Sequence, residues 1–435
     1  LERAKNLSSM ISAISGKMPL DIYDRFHGTL DERYSFPKEY QKYILGTLSY
    51  DQIDIAYKGY EYGINMNSVK RSQTMFARRV FELMASNTLV VSNFSRAMRM
   101  QFGDLVISSD SESEIINSLE SINNSRIKMD KIRLLALRKT LVTNSYKQRA
   151  EYIVSKVSDM KKLIISDRIT VIGLVDNLTE YDIILQNFNR QKHENKQLLI
   201  ISDNILDTDL KDGNILLNRT GKNLNESLEK ALSSSSYISF FKPSDYYCKY
   251  YLIDLLLTNN YADSDIFTKA IHYSNDGENI RLNNQEKELE YSFVKTADLD
   301  CSLIKNSELT LELIYQKCDH VMNNTDFTKY QIISTDRFNY CKNYDYRKNI
   351  YDIFDSETLA LDEGKNLNDY FALAESISVD NDSNHSEKSI SVEWLFDNLP
   401  LKADDGIEIN LVEEGVLINS KLSQNEHKYL YSKEE

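Results

Sequence analysis

Six residues able to handle a charged ligand fall within thirteen positions: Lys70, Ser72, Thr74, Arg78, Arg79 and Glu82, in KRSQTMFARRVFE. Cations and hydroxyls ahead of an amphipathic run suit a phosphate. The free backbone N–H groups and the dipole of a helix start both favour an anion there. Glu82, two turns along such a helix, could reach ribose hydroxyls. The plainer alternative is an ordinary helix with an Arg78–Glu82 surface pair at i,i+4.

The surrounding pattern says which elements must hold these residues. A helix beginning at Thr74 places Phe76, Val80, Leu83 and Met84 on one apolar stripe. Thr88–Ser92 (TLVVS) is a β-branched run of strand type. Asp104–Ser108 (DLVIS) is another strand, and Glu112–Ile122 a helix. With Leu20–Tyr23 as an earlier strand, residues 20–108 repeat strand–helix–strand, which indicates a parallel sheet. Ahead of it, Leu1–Ser15 reads as a helix with Leu7, Met10, Ile11 and Ile14 inward. Phe36–Tyr43 and Gln52–Gly59 are expected as short helices, and Met129–Val157 as one long helical region.

The block carrying Asn65, Asn67, Ser68, Lys70, Thr74–Glu82, Ala85, Ser86, Ser92, Asn93 and Phe102–Asp104 resembles the sugar-nucleotide-binding half of GT-B glycosyltransferases, specifically the CgeB-like spore-maturation group. The helix around LRKTLVTNSYKQR is similar to that group's helix, with Asn144 and Ser145 where His-Thr is usual. The resemblance implies a Rossmann-like GT-B C-terminal half over residues 1–165, its first strand missing. It also implies that Lys70, Ser72, Thr74, Arg78, Arg79 and Glu82 bind a nucleotide-sugar donor, most simply a UDP-sugar. A complete GT-B enzyme has a second domain before this one. The chain begins at Leu1 and not at Met, which reads as a piece of a longer protein.

Residues 166–347 repeat the α/β pattern. Strands are expected at ITVIGLV, Gln197–Ser202, Asn214–Leu217 and Tyr237–Phe241, and helices at Tyr181–Arg190, Leu224–Ser233 and Tyr246–Thr258. Leu224, Asn225, Ala231, Tyr237, Ile238, Phe240, Asp245, Tyr246, Tyr247, Tyr251, Leu252, Asp254 and Leu255 resemble a family 2 GT-A-like domain. That family holds a divalent metal with paired carboxylates after the strand, since hard oxygen ligands suit Mg²⁺ or Mn²⁺. Here the segment is Lys242-Pro243-Ser244-Asp245, so Asp245 is the remnant of a donor and metal site. Either Lys242 substitutes for the metal electrostatically or the site has decayed. Asp263-Ser264-Asp265 is a literal D-x-D at the wrong edge of the expected sheet and is read as a decoy. Asn324-Thr325-Asp326-Phe327 resembles the segment with the catalytic base of inverting enzymes, which makes Asp326 a candidate base; as a helix cap the same residues are equally well suited. Residues 348–388 are expected as an acidic helical linker and 389–435 as the start of a β-rich unit, from strands at Ser389–Trp394, Gly406–Leu411 and Val416–Ile418.

Composition narrows the function classes. The chain has 435 residues, enough for two or three domains. A net charge of −14 argues against non-specific nucleic-acid binding. Cys248, Cys301, Cys318 and Cys341 lack metal or disulfide spacing and read as reduced thiols. No apolar run reaches the roughly 18 residues of a membrane span, and no signal peptide is evident. The expected place is the cytoplasm, or a peripheral position at the inner face of the membrane. No cofactor is assigned, Mg²⁺ or Mn²⁺ being needed only if the second domain is active. Two functions follow. One is transfer of a sugar from a nucleotide donor to a cell-surface glycan or protein acceptor. The other is a non-catalytic glycosyltransferase-like scaffold with degenerate sites.

Overall fold

The computed structural model describes residues 2–28, 36–157, 167–211, 213–221, 223–284, 289–318, 326–347, 351–366 and 369–370, with the backbone of 408–413 and 416–421. The chain divides into two compact units. One holds residues 1–126 and the chain from 361 onward, the other residues 127–360. The α/β class expected from the sequence holds in both.

In the first unit, α1 (Glu2–Ser15) buries Met10, Ile11 and Ile14, as its periodicity predicts. A minor parallel pair, β1 (Ile22–Tyr23) and β2 (Ile44–Gly46), follows. Lys38–Tyr43 forms a 3₁₀ turn, and α2 (Ile53–Gly59) leads into the central sheet. That sheet is three parallel strands, β3 (Tyr62–Asn65), β4 (Leu89–Ser92) and β5 (Val106–Ser108). The β4 strand is buried along its whole length, which is why its residues run apolar without alternation. The crossovers are α3 (Arg79–Ala85) and α4 (Arg96–Phe102), with α5 (Glu112–Asn123) after β5. The α3 helix lies close over β3 at Gly63, where a Cβ would stand 2.4 Å from Leu83 Cδ2.

Helix α3 begins at Arg79, not at Thr74. The stripe is right: Val80, Leu83 and Met84 are buried, and the Phe76 ring packs 5.2 Å from Phe81 and 5.4 Å from Phe102. Phe76 reaches that cluster from extended chain. The backbone ahead of the helix is bound instead by side chains. Ser72 Oγ accepts from the N–H groups of Thr74 and Met75, and Asn67 Oδ1 accepts from Ala77 N–H at 3.0 Å. Hydroxyl and amide side chains that capture nearby N–H groups compete with helix formation.

The second unit opens with α6 (Arg126–Thr143) and α7 (Tyr146–Val157). The long helical region is thus broken at Asn144–Ser145. Ser145 Oγ accepts from Gln148 N–H while Gln148 Oε1 accepts from Ser145 N–H, a reciprocal cap that starts a new helix. The division at 126/127 places α6 in the second unit, where Arg138 donates to both carboxylate oxygens of Asp254, at 2.8 and 3.0 Å.

The core of this unit is a seven-stranded sheet in the order β15–β11–β14–β9–β6–β7–β8. Its strands are β6 (Ile169–Leu174), β7 (Lys196–Ile201), β8 (Ile215–Leu217), β9 (Tyr237–Phe241), β11 (Ile266–Thr268), β14 (Ser302–Lys305) and β15 (Ile332–Ser334). Only β14 runs antiparallel to its neighbours. Successive residues of β6 and β7 face opposite cores. Val171 and Leu198 join the α8 (Leu178–Arg190) and α10 (Tyr251–Leu257) side, and Ile172 and Leu199 the α9 (Leu224–Leu232) and α11 (Glu308–Cys318) side.

A smaller sheet has the order β10 (Tyr246–Tyr247), β16 (Tyr340–Lys342), β12 (Tyr273–Asn275) and β13 (Ile280–Leu282). The expected helix from Tyr246 therefore begins five residues later, because Tyr246 and Tyr247 pair with Cys341 and Tyr340. Residues 351–360 belong to this unit and include a 3₁₀ turn at Ser356–Thr358. Lys131 Nζ donates to Asp352 O at 2.7 Å, Arg138 binds Ser356 and Glu357, and Phe354 is fully buried. The four cysteines are buried, and none of them forms a disulfide. The β17 (Glu408–Glu413) and β18 (Val416–Lys421) backbones form an antiparallel hairpin at two of the expected strand positions. Ser389–Trp394 lies outside the described residues.

Candidate functional site

In an open α/β sheet a ligand fits at the carboxyl ends of parallel strands, where chain enters and leaves and backbone N–H groups are available. In the first unit that edge is built by Asn65 at the end of β3, Ser92–Asn93 after β4, and Ser108–Asp110 after β5. Asn67 N–H donates to Asn93 Oδ1 at 2.7 Å, and Asn93 Nδ2 returns to Asn67 O at 3.0 Å. The Asn65 and Asn67 amides both donate to Ser92 Oγ at 3.1 Å. This buried lattice fixes the loop 66–78 across the edge. Asn65 Oδ1 is the one buried atom of the lattice without a partner.

Lys70 is held over the edge from two sides. Its carbonyl accepts from Arg96 N–H at 2.8 Å, and its ammonium pairs with Asp110 at 2.9 Å. Ser72 uses its oxygen as an acceptor for two N–H groups of the loop. Thr74 is half-buried within the same loop. Arg78 and Glu82 pair at 2.7 Å one helical turn apart, and Tyr57 adds its hydroxyl to Glu82 at 3.5 Å. Arg71 and Arg79 are exposed and pair with no described residue. Because α3 starts at Arg79, Lys70, Ser72 and Thr74 flank the loop and not a helix N-terminus. The sequence reading missed Asp110; its signal was its place two residues past β5.

Asp245 lies elsewhere, in the second unit, with no exposed surface. Its carboxylate takes Tyr340 Oη at 2.6 Å, Ser244 Oγ at 2.9 Å and Asn343 N–H at 2.9 Å. Lys242 is exposed; its carbonyl accepts from Asp245 N–H at 3.0 Å, and among the described residues its ammonium forms no ion pair with the Asp245 carboxylate. A carboxylate already saturated by three donors and sealed from solvent does not fit a divalent metal on a diphosphate. Among the described residues no three His, Cys, Asp or Glu side chains converge as metal ligands. Asp326 is exposed at the other end of the unit's chemistry. It accepts from Thr328 Oγ1 at 2.6 Å and Thr328 N–H at 2.9 Å. The Thr328 hydroxyl is the main cause that holds its carboxyl below the ordinary value, the wrong direction for a base working near neutrality. These bonds close a turn at Thr328–Lys329 ahead of β15, and no helix follows for Asp326 to cap; Asn324 and Thr325 lie outside the described residues. In the decoy, Asp265 accepts from Gln331 N–H and Asp263 pairs with Lys305.

The same carboxyl edge of the large sheet does assemble polar residues that the sequence reading passed over. Asp176, after β6, pairs with Arg219 after β8 at 3.1 Å, and Asp203, after β7, accepts from Thr220 N–H and Oγ1. They mate with one another.

Residues 8–155 match the family described as glycosyl transferase-like. The match covers the whole of the β3–β4–β5 edge and its loop, and less than half of the chain, so this stretch is similar to glycosyl transferase-like domains. No curated protein matches the chain. Among solved structures, Staphylococcus aureus TarS 1–349 in complex with UDP-GlcNAc is similar at 14% identity, with 41% of this chain and 59% of that one covered and a TM-score of 0.28. The bifunctional IspDF from Campylobacter jejuni is similar at 13% identity over 45% and 55%, with a TM-score of 0.25. The apo form of the glycosyltransferase GlyE from Streptococcus pneumoniae TIGR4 gives 9% identity over 39% and 45%, with a TM-score of 0.20. The chain thus spans less than two thirds of each of these structures. No described helix is long and apolar enough to cross a membrane.

Proposed function

We propose that the chain is a nucleotide-sugar-dependent glycosyltransferase, or part of one, of the CgeB-like GT-B kind, with its donor on the β3–β4–β5 edge. The observation that carries this reading is the coincidence of the glycosyl transferase-like match with a loop tied down across that edge. In this reading Lys70, steadied by Asp110, and the exposed Arg79 face the diphosphate of a UDP-sugar. The Ser72 and Thr74 hydroxyls donate to phosphate oxygens. Glu82, oriented by Arg78 and Tyr57, accepts from the ribose hydroxyls. Positive charge fixed in place before the reaction stabilises the departing diphosphate without reorganisation. The acceptor is a cell-surface glycan or a protein, met from the cytoplasm or from the inner face of the membrane.

The second unit is proposed as a GT-A-like scaffold without its own turnover. The sealed Asp245 carboxylate favours this. Titration of the chain with UDP and UDP-sugars, with and without Mn²⁺, tests both parts. Metal-independent binding that weakens in Glu82→Ala supports the donor site. Metal-dependent binding lost in Asp245→Ala would overturn the scaffold reading. Mg²⁺ or Mn²⁺ belongs to the reaction only in that second case.

A further inference from the structure

One buried amide spans both halves of the proposed donor set. Asn67 is 3% exposed and lies two residues past the end of β3. Its Oδ1 accepts from Ala77 N–H at 3.0 Å, ten residues further along the chain. Its main chain is held to Asn93 by the bonds of 2.7 and 3.0 Å. The loop therefore leaves the sheet at Asn67 and returns to the same residue at Ala77. Lys70, Ser72 and Thr74 lie inside that closure, and Arg79 and Glu82 lie in the first turn of α3 directly after it.

The bonds around Asn67 leave its amide no second arrangement. Oδ1 also accepts from Asn65 Nδ2 at 3.2 Å, so both of its lone pairs are taken. Nδ2 donates to Ser92 Oγ at 3.1 Å and to Met98 Sδ at 2.9 Å. Ala77 offers an N–H, which only the oxygen end of the amide can accept, and this fixes which end meets the returning loop. A carboxylate in this place would keep the acceptor, lose both donors and bury a charge. A methyl group would untie the two ends of the loop.

The consequence is for binding. A loop with untied ends must be ordered when its ligand arrives, and that ordering is subtracted from affinity. A loop closed beforehand holds its cation and hydroxyls at a set spacing from α3. We propose that Asn67 is a positioning residue for the donor. It touches no ligand, and it fixes Lys70, Ser72 and Thr74 relative to Arg79 and Glu82 before the donor binds. Its effect on affinity rests on the donor reading, and the closure itself on the bonds to Ala77 and Asn93 alone.

Amide hydrogen exchange and UDP calorimetry on the intact chain test this. In the unmodified protein the Ala77 amide should exchange at least tenfold more slowly than that of Arg71, which is exposed on the same loop. Saturating UDP should slow Ala77 at least threefold further, because a ligand that needs the closed loop stabilises it. In Asn67→Ala the Ala77 protection should be lost while Leu83 and Met84 in α3 keep theirs, and UDP affinity should fall at least tenfold. Met10→Ala truncates a buried side chain of α1 in the same unit. It should lower the unfolding midpoint and leave UDP affinity within twofold. The proposal is overturned by an Asn67→Ala protein that binds UDP within twofold of the unmodified chain, or by an equal loss in Met10→Ala. Should Asn67→Ala not fold, an Ala77 amide in the unmodified chain that exchanges as fast as Arg71, or that UDP leaves unchanged, overturns it. Absence of UDP binding in the unmodified chain instead sinks the donor reading and the role in affinity with it, and exchange at Ala77 still decides the closure.

Discussion

Tyr340 donates its hydroxyl hydrogen to Asp245 Oδ2 at 2.6 Å, and both residues are wholly buried. Burial is the main cause that holds the Tyr340 phenol well above its ordinary value, so it remains a donor throughout the working range. The carboxylate expected to meet a metal instead organises the junction of β9, β10 and β16. Tyr340→Phe removes one of three side-chain and backbone donors to a buried charge. The expected loss is about 1–3 kcal/mol of stability, read from urea unfolding, with UDP affinity unchanged.

Arg138 should be among the most costly residues to remove. It bridges Asp254, Glu357 and Ser356 from within α6. Taking away one partner of a buried pair leaves uncompensated charge and costs roughly 3–5 kcal/mol. Arg138→Met should lower the unfolding midpoint by that measure. A change within error would show that the second unit does not depend on α6.

The two adjacent arginines should separate in binding. Arg79 has no described partner, whereas Arg78 is engaged with Glu82. A hydrogen bond to a charged group contributes about 1.5–3 kcal/mol. Arg79→Ala should therefore weaken UDP binding about tenfold or more in calorimetry. Arg78→Ala should act less, through a Glu82 that has lost its neighbour. The reverse order would place the diphosphate elsewhere.

Gly63→Ala tests the packing that sets α3 over β3. The added methyl would stand 2.4 Å from Leu83 Cδ2 and 2.7 Å from Cδ1. Overpacking of this kind costs about 1–3 kcal/mol. Thermal unfolding should show it, and the Gly63→Ala penalty should shrink when it is measured in a Leu83→Ala background, where the clashing methyls are gone.

Glu290 should give the second unit an acid-side gain. Burial is the leading cause that raises its carboxyl, and Arg337 only partly opposes it. A carboxyl whose folded value lies above its unfolded one binds its proton first in the folded state. Stability relative to Glu290→Gln should then rise as pH falls from neutrality towards the ordinary glutamate range. It levels off below the unfolded value. Parallel unfolding curves of the two proteins across that range check the sign.

Periodicity and β-branched runs were enough to place β4, β5, β6, β7 and β9 and the α/β class, because a strand buried on both faces must be apolar throughout. The loop residues Lys70, Ser72 and Thr74 stood out in the sequence because hydroxyls and cations cluster beside an amphipathic run; their part in donor binding is proposed. What the sequence could not determine was where α3 begins. That depended on Asn67 and Ser72 capturing N–H groups that a helix would otherwise use. Asp245 shows the limit most plainly. Its residue type and its place after a strand suit a metal ligand. Only the tertiary structure, which brings Tyr340 and Asn343 to it across 95 and 98 residues of chain, decided that its charge is satisfied from inside.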